Sequence, residues 1–142
     1  MKRIIFISIC MVFILLASTI LPAQEKEETP PVFSISTWKV RFDKIEEFLN
    51  LWEKESLPLI KQNEFIKSFR VCTHLWGPDW TVVSIAEYES FSAIEDSQKK
   101  SSELFKKKYP DKAKRDEVGK KMRSLIMGHT DAIVQEVPKL RK

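Results

Sequence analysis

Two hydrophobic periods alternate along this chain, and the places where one gives way to the other mark its elements. Residues 33–42, FSISTWKVRF, are rich in β-branched and aromatic side chains and hold no breaker, which predicts a first strand. Asp43 stands three residues before Glu46, the spacing of a capping box, so a helix is expected to begin there. Ile45, Phe48, Leu49, Trp52, Leu59 and Ile60 then recur at three- and four-residue steps. Pro58 removes one amide from this pattern and predicts a kink or restart near Ser56.

Two strand-like runs follow, residues 65–76 and 80–89, on either side of Gly77-Pro78-Asp79, and they predict a hairpin. After Tyr88 the period turns helical, with Ser90 or Ser92 as cap and Phe91, Ile94, Leu104 and Phe105 as the apolar side. Tyr109-Pro110-Asp111 breaks that helix. A further one is expected over 112–127, with Val118, Met122, Leu125 and Ile126 inward and Gly128 ending it. TDAIVQEV, residues 130–137, predicts a short last strand stopped by Pro138.

Before these elements lies a different kind of segment. Lys2 and Arg3 precede an apolar run over 4–21, then Pro22-Ala23-Gln24 and the charged stretch Glu25-Lys26-Glu27-Glu28. A basic start, an apolar middle and a small residue at a cut are the order of a secretory signal, so residues 1–23 are expected to be a signal peptide and the chain to be exported, periplasmic or secreted. The competing reading is an uncleaved anchor through residues 4–21, which are just numerous enough to span a bilayer. Residues 24–32 read as a flexible tether, 33–138 as one domain and 139–142 as a basic, solvated tail.

Composition narrows the function classes. The 142 residues are 43% hydrophobic and 31% charged, an ordinary globular balance. Their net charge of +4 includes the two cations of the leader, leaving +2 for the remainder, which excludes a strongly basic nucleic-acid binder. Cys10 lies inside the apolar run, so the domain has only Cys72 and no internal disulfide. One cysteine with His74 and His129 also falls short of the four grouped ligands of structural zinc, and no metal is expected.

The order strand, helix, two strands, helix pair, strand is an α+β, ferredoxin-like βαββ(αα)β plan: a four-stranded antiparallel sheet with helices on one face. If the hairpin loop is three residues long, Trp76 faces Trp80. Alternation then puts Arg70, Cys72, His74, Trp76, Trp80, Val82, Ser84, Ala86 and Tyr88 on one face of the hairpin, and Phe69, Val71, Thr73, Leu75, Val83 and Ile85 on the other. Taking the first set as the uncovered face makes that face too aromatic for a soluble monomer and predicts a sheet-to-sheet homodimer.

These features resemble the dimeric α/β-barrel superfamily of ferredoxin-like proteins, which includes antibiotic-biosynthesis-type monooxygenases, haem-degrading and haem-binding domains, and NIPSNAP-like proteins. The likeness covers roughly residues 34–137. It rests on element order, on FLNLWEKESLPLI (48–60), on SIAEYESFSAIED (84–96) and on HTDAIVQEV (129–137). What the resemblance implies is a homodimer with a cavity, and a reaction only by analogy.

Within that frame His74 is the candidate catalytic residue, as a base or as an axial haem ligand, and Arg70, Trp76, Trp80 and Tyr88 are candidate ligand-binding residues. Arg70 is equally suited to an ion pair with the partner subunit. His129 after Gly128 is expected to cap a helix end; Asp131 could orient it, but no nucleophile can be set beside the pair. Cys72 is expected to be a small buried hydrophobe and Trp52 to be core, while Trp38 shares a face with Val40 and Phe42 and could line the cavity. The lysines of 99–115 read as a solvated surface, with weak attraction to a membrane as the lesser alternative. The functional expectation is an exported dimer that binds a small aromatic or apolar ligand and needs no cofactor. The alternatives are a cofactor-independent monooxygenase and a haem-binding domain.

Overall fold

The computed structural model describes residues 29–76 and 81–142. The signal or anchor expected over 1–23, most of the tether, and Trp80 lie outside these residues. Strand β1 (Val32–Val40) leads through a 3-10 turn at Phe42–Lys44 into α1 (Ile45–Glu55) and the short α2 (Leu57–Ile60). Then come β2 (Ser68–Thr73), β3 (Thr81–Tyr88), α3 (Phe91–Lys108), α4 (Lys112–Ser124) and β4 (Ile126–Gln135), and a closing 3-10 turn at Pro138–Leu140. The sheet order is β2-β3-β1-β4, with every neighbouring pair antiparallel. This is the expected α+β ferredoxin-like arrangement. Among the described residues no helix is long and apolar enough to cross a membrane.

Local chemistry explains most boundaries. Pro58 separates α1 from α2 at Ser56, as its missing amide requires. Ser90 caps α3 by accepting from the Ala93 amide at 3.2 Å, and Asp111 caps α4 by accepting from the Ala113 amide at 2.8 Å. The capping box expected at Asp43 and Glu46 does not form. Both Asp43 oxygens are taken by the Arg41 guanidinium, at 3.0 and 2.7 Å, and the chain enters α1 through the 3-10 turn instead. The last helix stops at Ser124, three residues short of the expectation, so Gly128 terminates nothing and lies within a ten-residue β4. In the tail, Arg141 reaches back to the Glu136 carboxylate rather than standing free in solvent.

The core consists of two apolar clusters on the helix side of the sheet. Val32, Ala86, Tyr88 and Ile94 form one; Val40, Phe48, Val82 and Leu125, with Ile45, Leu49, Trp52 and Met122 packed around them, form the other. Each fully buried side chain of this size contributes about 1.5–3 kcal/mol of transfer free energy. Two polar devices join the helices across this layer. Asn63, buried at the end of the α2 turn, donates to the Ser97 carbonyl at 2.9 Å and to the Ser97 and Ser101 hydroxyls, while its own oxygen accepts from the Phe65 amide. Glu55, buried at the end of α1, meets Lys108 Nζ at 2.8 Å and the Tyr109 hydroxyl at the end of α3. Burial pushes the Glu55 carboxyl up, but the bonds from Lys108 and Tyr109 outweigh it and hold the group below the usual carboxylate range. The same bond to Glu55 raises the Tyr109 phenol.

The hairpin register differs by one residue from the expected one. Arg70 pairs with Ile85, Cys72 with Val83 and Thr73 with Val82. The ladder of β2 ends at Thr73, and residues 74–76 lie outside it. Because side chains alternate, this single step moves all of β3 to the opposite face relative to β2. Val82, Ser84, Ala86 and Tyr88 are buried beneath the helices, and the uncovered face of the hairpin is Ser68, Arg70 and Cys72 beside Val83, Ile85 and Glu87.

Candidate functional site

Of the expected pocket, Trp80 lies outside the described residues, and Arg70, His74, Trp76 and Tyr88 do not share one face. Arg70 is exposed on the bare side of β2, whereas Tyr88 is buried on the helix side, opposite Val32. His74 lies beyond the end of β2, where a ring nitrogen bonds to the Trp76 carbonyl oxygen. The Trp76 side chain stands in solvent, 93% exposed. Cys72, expected to be buried, is exposed. There are two physical causes: the one-residue register step sets Arg70 and Tyr88 on opposite faces, and residues 74–76 have left the ladder, so strand alternation no longer assigns them a face.

A different set of side chains converges on the helix side. β1 presents Val32, Ser34, Ser36, Trp38 and Val40 there, since Val32 and Val40 are buried in the two clusters and alternation brings the others with them. Trp38 stacks on His129 of β4, the ring centres 5.6 Å apart and the planes within 13°. On its other side Trp38 meets Trp52 of α1 at 6.1 Å, and Trp52 stacks on Phe69 of β2 at 5.1 Å. A row Phe69–Trp52–Trp38–His129 thus crosses the sheet from one edge strand to the other. Ser34, Ser36 and Ser84, in register with Ala86 and with one another, give the centre of this face only small side chains between the two apolar clusters.

The row has a polar end. Ser36 and Asp131 are direct partners across β1 and β4, and the Ser36 hydroxyl donates to Asp131 Oδ1 at 2.5 Å. His129 Nε2 is 3.1 Å from the same oxygen. One carboxylate oxygen therefore serves a hydroxyl and an imidazole at once, while both side chains remain about half exposed, 43% for His129 and 56% for Asp131. This is not a hydrolase triad: the serine bonds the carboxylate directly and not the imidazole, so no base is placed to activate it. The arrangement suits a planar ligand that stacks on indole faces and exchanges one hydrogen bond with a histidine or carboxylate.

The phase of β4 makes this possible. Lys39 pairs with Gly128 but Val40 pairs with Ile126, so Met127 is an extra residue, a β-bulge. Ile126 packs into the helix-side cluster, and after the bulge His129, Asp131 and Ile133 share that side too. His129 was expected at a helix end and Asp131 in the strand after it; both lie in β4. The signal that would have found them is the alternation Ser34, Ser36, Trp38, Val40 of β1, whose partners in an antiparallel edge strand carry the site.

No protein-family model and no curated protein matches this sequence. Solved structures do. A NIPSNAP domain protein from Burkholderia xenovorans superposes with a TM-score of 0.60 at 14% identity, covering 78% of this chain and 99% of that one. A dimeric ferredoxin-like protein from an uncultured marine organism gives 0.59 at 13% identity, over 82% and 95% of the two chains. A proposed antibiotic biosynthesis monooxygenase from Caulobacter crescentus gives 0.53 at 13%, over 78% and 92%. The chain has their ferredoxin-like fold. At these identities the likeness concerns backbone architecture and assigns no activity.

Proposed function

We propose that this protein is a small-ligand binding domain whose site is the helix-side aromatic row, with His129, Asp131 and Ser36 as its polar end. The observation that carries this reading is the His129 ring stacked nearly parallel to Trp38, centres 5.6 Å apart, partly exposed and with a shared carboxylate beside it. The ligand class is a planar aromatic molecule with one hydroxyl or carbonyl. Arg70 and Tyr88, separated by the sheet, are not part of this site. The proposal keeps export as the role of residues 1–23.

The domain acts as a homodimer in this reading. Support comes from the uncovered sheet face, where Phe33, Ile35, Val83, Ile85 and Val134 form an apolar centre, and from the dimeric ferredoxin-like neighbour. Arg70 and Glu87, on the same face, would then meet the partner subunit. Replacing Ile85 by Lys should convert dimers to monomers by light scattering; a wild-type monomer at micromolar concentration would remove this part.

Quenching of tryptophan fluorescence by 2-naphthol tests the site. Affinity should fall about tenfold or more in Trp38→Leu and His129→Leu and stay unchanged in Arg70→Gln and Trp76→Ala; unchanged binding in the first pair would refute the assignment. A second reading, cofactor-independent oxygenation of a quinol, is favoured by the same histidine, because a base beside the aromatic row is the one protein group that chemistry requires. It expects oxygen uptake with menadiol, above the autoxidation blank, that His129→Ala abolishes. A Soret band on adding haemin, lost in the same variant, would redirect the assignment to haem.

A further inference from the structure

Charge is unevenly spread over this molecule. Residues 99–123, the second half of α3 with α4, carry eleven cations and four acids, a net +7, so the other 117 residues sum to −3. Most of these cations are spent on partners. Lys99, Lys100, Lys108, Lys112, Lys114 and Lys121 each have a carboxylate within 4.0 Å, and Arg115 donates to the carbonyls of Tyr109 and Pro110 at 2.6 and 2.8 Å. Lys106, Lys107, Lys120 and Arg123 have no such ion pair among the described residues. Two of the four, Lys106 and Arg123, line one recess between α3 and α4 of about 280 Å³, together with Ser102, Phe105, Arg115 and Asp116, and with Gly119 at its wall.

Gly119 is the second observation. A glycine inside a helix costs about 0.5–1 kcal/mol relative to alanine, and here nothing in the backbone requires it. What it provides is room: a Cβ at this position would stand 3.2 Å from Arg123 Nη1 and 3.8 Å from its Cζ. The bare Cα lets the guanidinium fold back across the helix, and a larger side chain would expel it. The one carboxylate present, Asp116, is already engaged by Lys112 at 2.6 Å.

We propose that this recess binds a phosphate monoester, with Arg123 and Lys106 supplying charge, Arg115 the N–H groups that its two carbonyl bonds leave over, and Ser102 a hydroxyl. Two planar guanidinia, an ammonium and a hydroxyl, approaching from two helices, match a tetrahedral group with three acceptor oxygens better than a flat carboxylate with two. The volume lies at the small end of ligand sites, roughly 300–1,000 Å³, which suits a phosphate on a short stem, whether a soluble ester or a lipid headgroup.

Titration calorimetry of the full chain with glycerol 3-phosphate tests this. Binding should weaken about tenfold or more in Arg123→Gln and in Gly119→Leu, with helix content checked by circular dichroism, and persist in Lys99→Gln, which lies outside the recess. Glycerate at equal ionic strength should bind at least about tenfold more weakly. Sedimentation with phosphatidylcholine vesicles, with and without phosphatidic acid, separates the sources: Arg123-dependent capture by the acidic vesicles identifies the headgroup, and binding of the soluble ester alone identifies a free ligand. Equal losses in Arg123→Gln and Lys99→Gln, equal affinity for glycerate, or no Arg123-dependent binding in either arm would overturn the proposal.

Discussion

The two faces of the sheet are built on opposite plans. Beneath the helices, apolar clusters at both ends enclose a centre of serines, and every buried polar side-chain atom among the described residues has a partner. On the bare side the apolar residues are central, and charge, Lys39, Arg70 and Glu87, lies among them. A packed layer with a polar middle suits the proposed guest, whereas an apolar middle interspersed with charge suits the proposed partner subunit. In the proposed reading the first face is a place for binding and the second a place for contact.

Several measurements would break or sharpen that contrast. The largest effect is expected for Phe48→Ala, which empties the helix-side core at a side chain only 1% exposed and should cost about 3–5 kcal/mol in urea unfolding. Ile85→Ala, on the bare face, should cost under about 0.5 kcal/mol in dilute monomer and more as concentration rises; a large cost independent of concentration would mean that the face is covered within one chain. Asn63→Ala should cost about 1–3 kcal/mol by leaving Ser97 and the α2 turn unsatisfied, and an effect near zero would refute its bridging role.

Glu55 gives a smaller, pH-dependent effect. Its folded pKa lies below the ordinary value of 4.5, so the stability it contributes is fully present above that pH and is lost as pH falls through the lower folded value. Glu55→Gln should therefore flatten the acid limb of the Tm profile below about pH 4.5 and leave its shape near neutrality unchanged; an unaltered acid limb would count against the Lys108–Glu55–Tyr109 link. Smallest of all, Lys114→Ala, which removes an exposed pair with Glu117, should change stability by less than about 0.5 kcal/mol.

Element order and the Pro58, Ser90 and Pro110 boundaries were legible in the sequence because each follows from one residue's backbone chemistry. The covered face of the hairpin was not. Its parity depends on where the ladder stops, and a tryptophan-rich run such as residues 74–76 looks like strand whether or not it is hydrogen-bonded to one. The end of α4 was misplaced for a related reason: Leu125 and Ile126 do pack inward, as a helix stripe would, but they do so from a helix end and the first residue of a strand. What hid the candidate site was thus not its residue types but two counts, each sensitive to a single residue.

Met127 illustrates how discrete such a count is. Deleting it would close the bulge and leave imidazole, carboxylate and Ile133 on the helix side, whereas pairing it with Lys39 in a regular ladder would carry all three to the outer surface and bring Thr130, Ala132 and Val134 in. What sets the phase of the strand is thus whether this residue is left out of the ladder or taken into it. A lineage that lost that codon would straighten the strand and keep the same side chains beneath the helices.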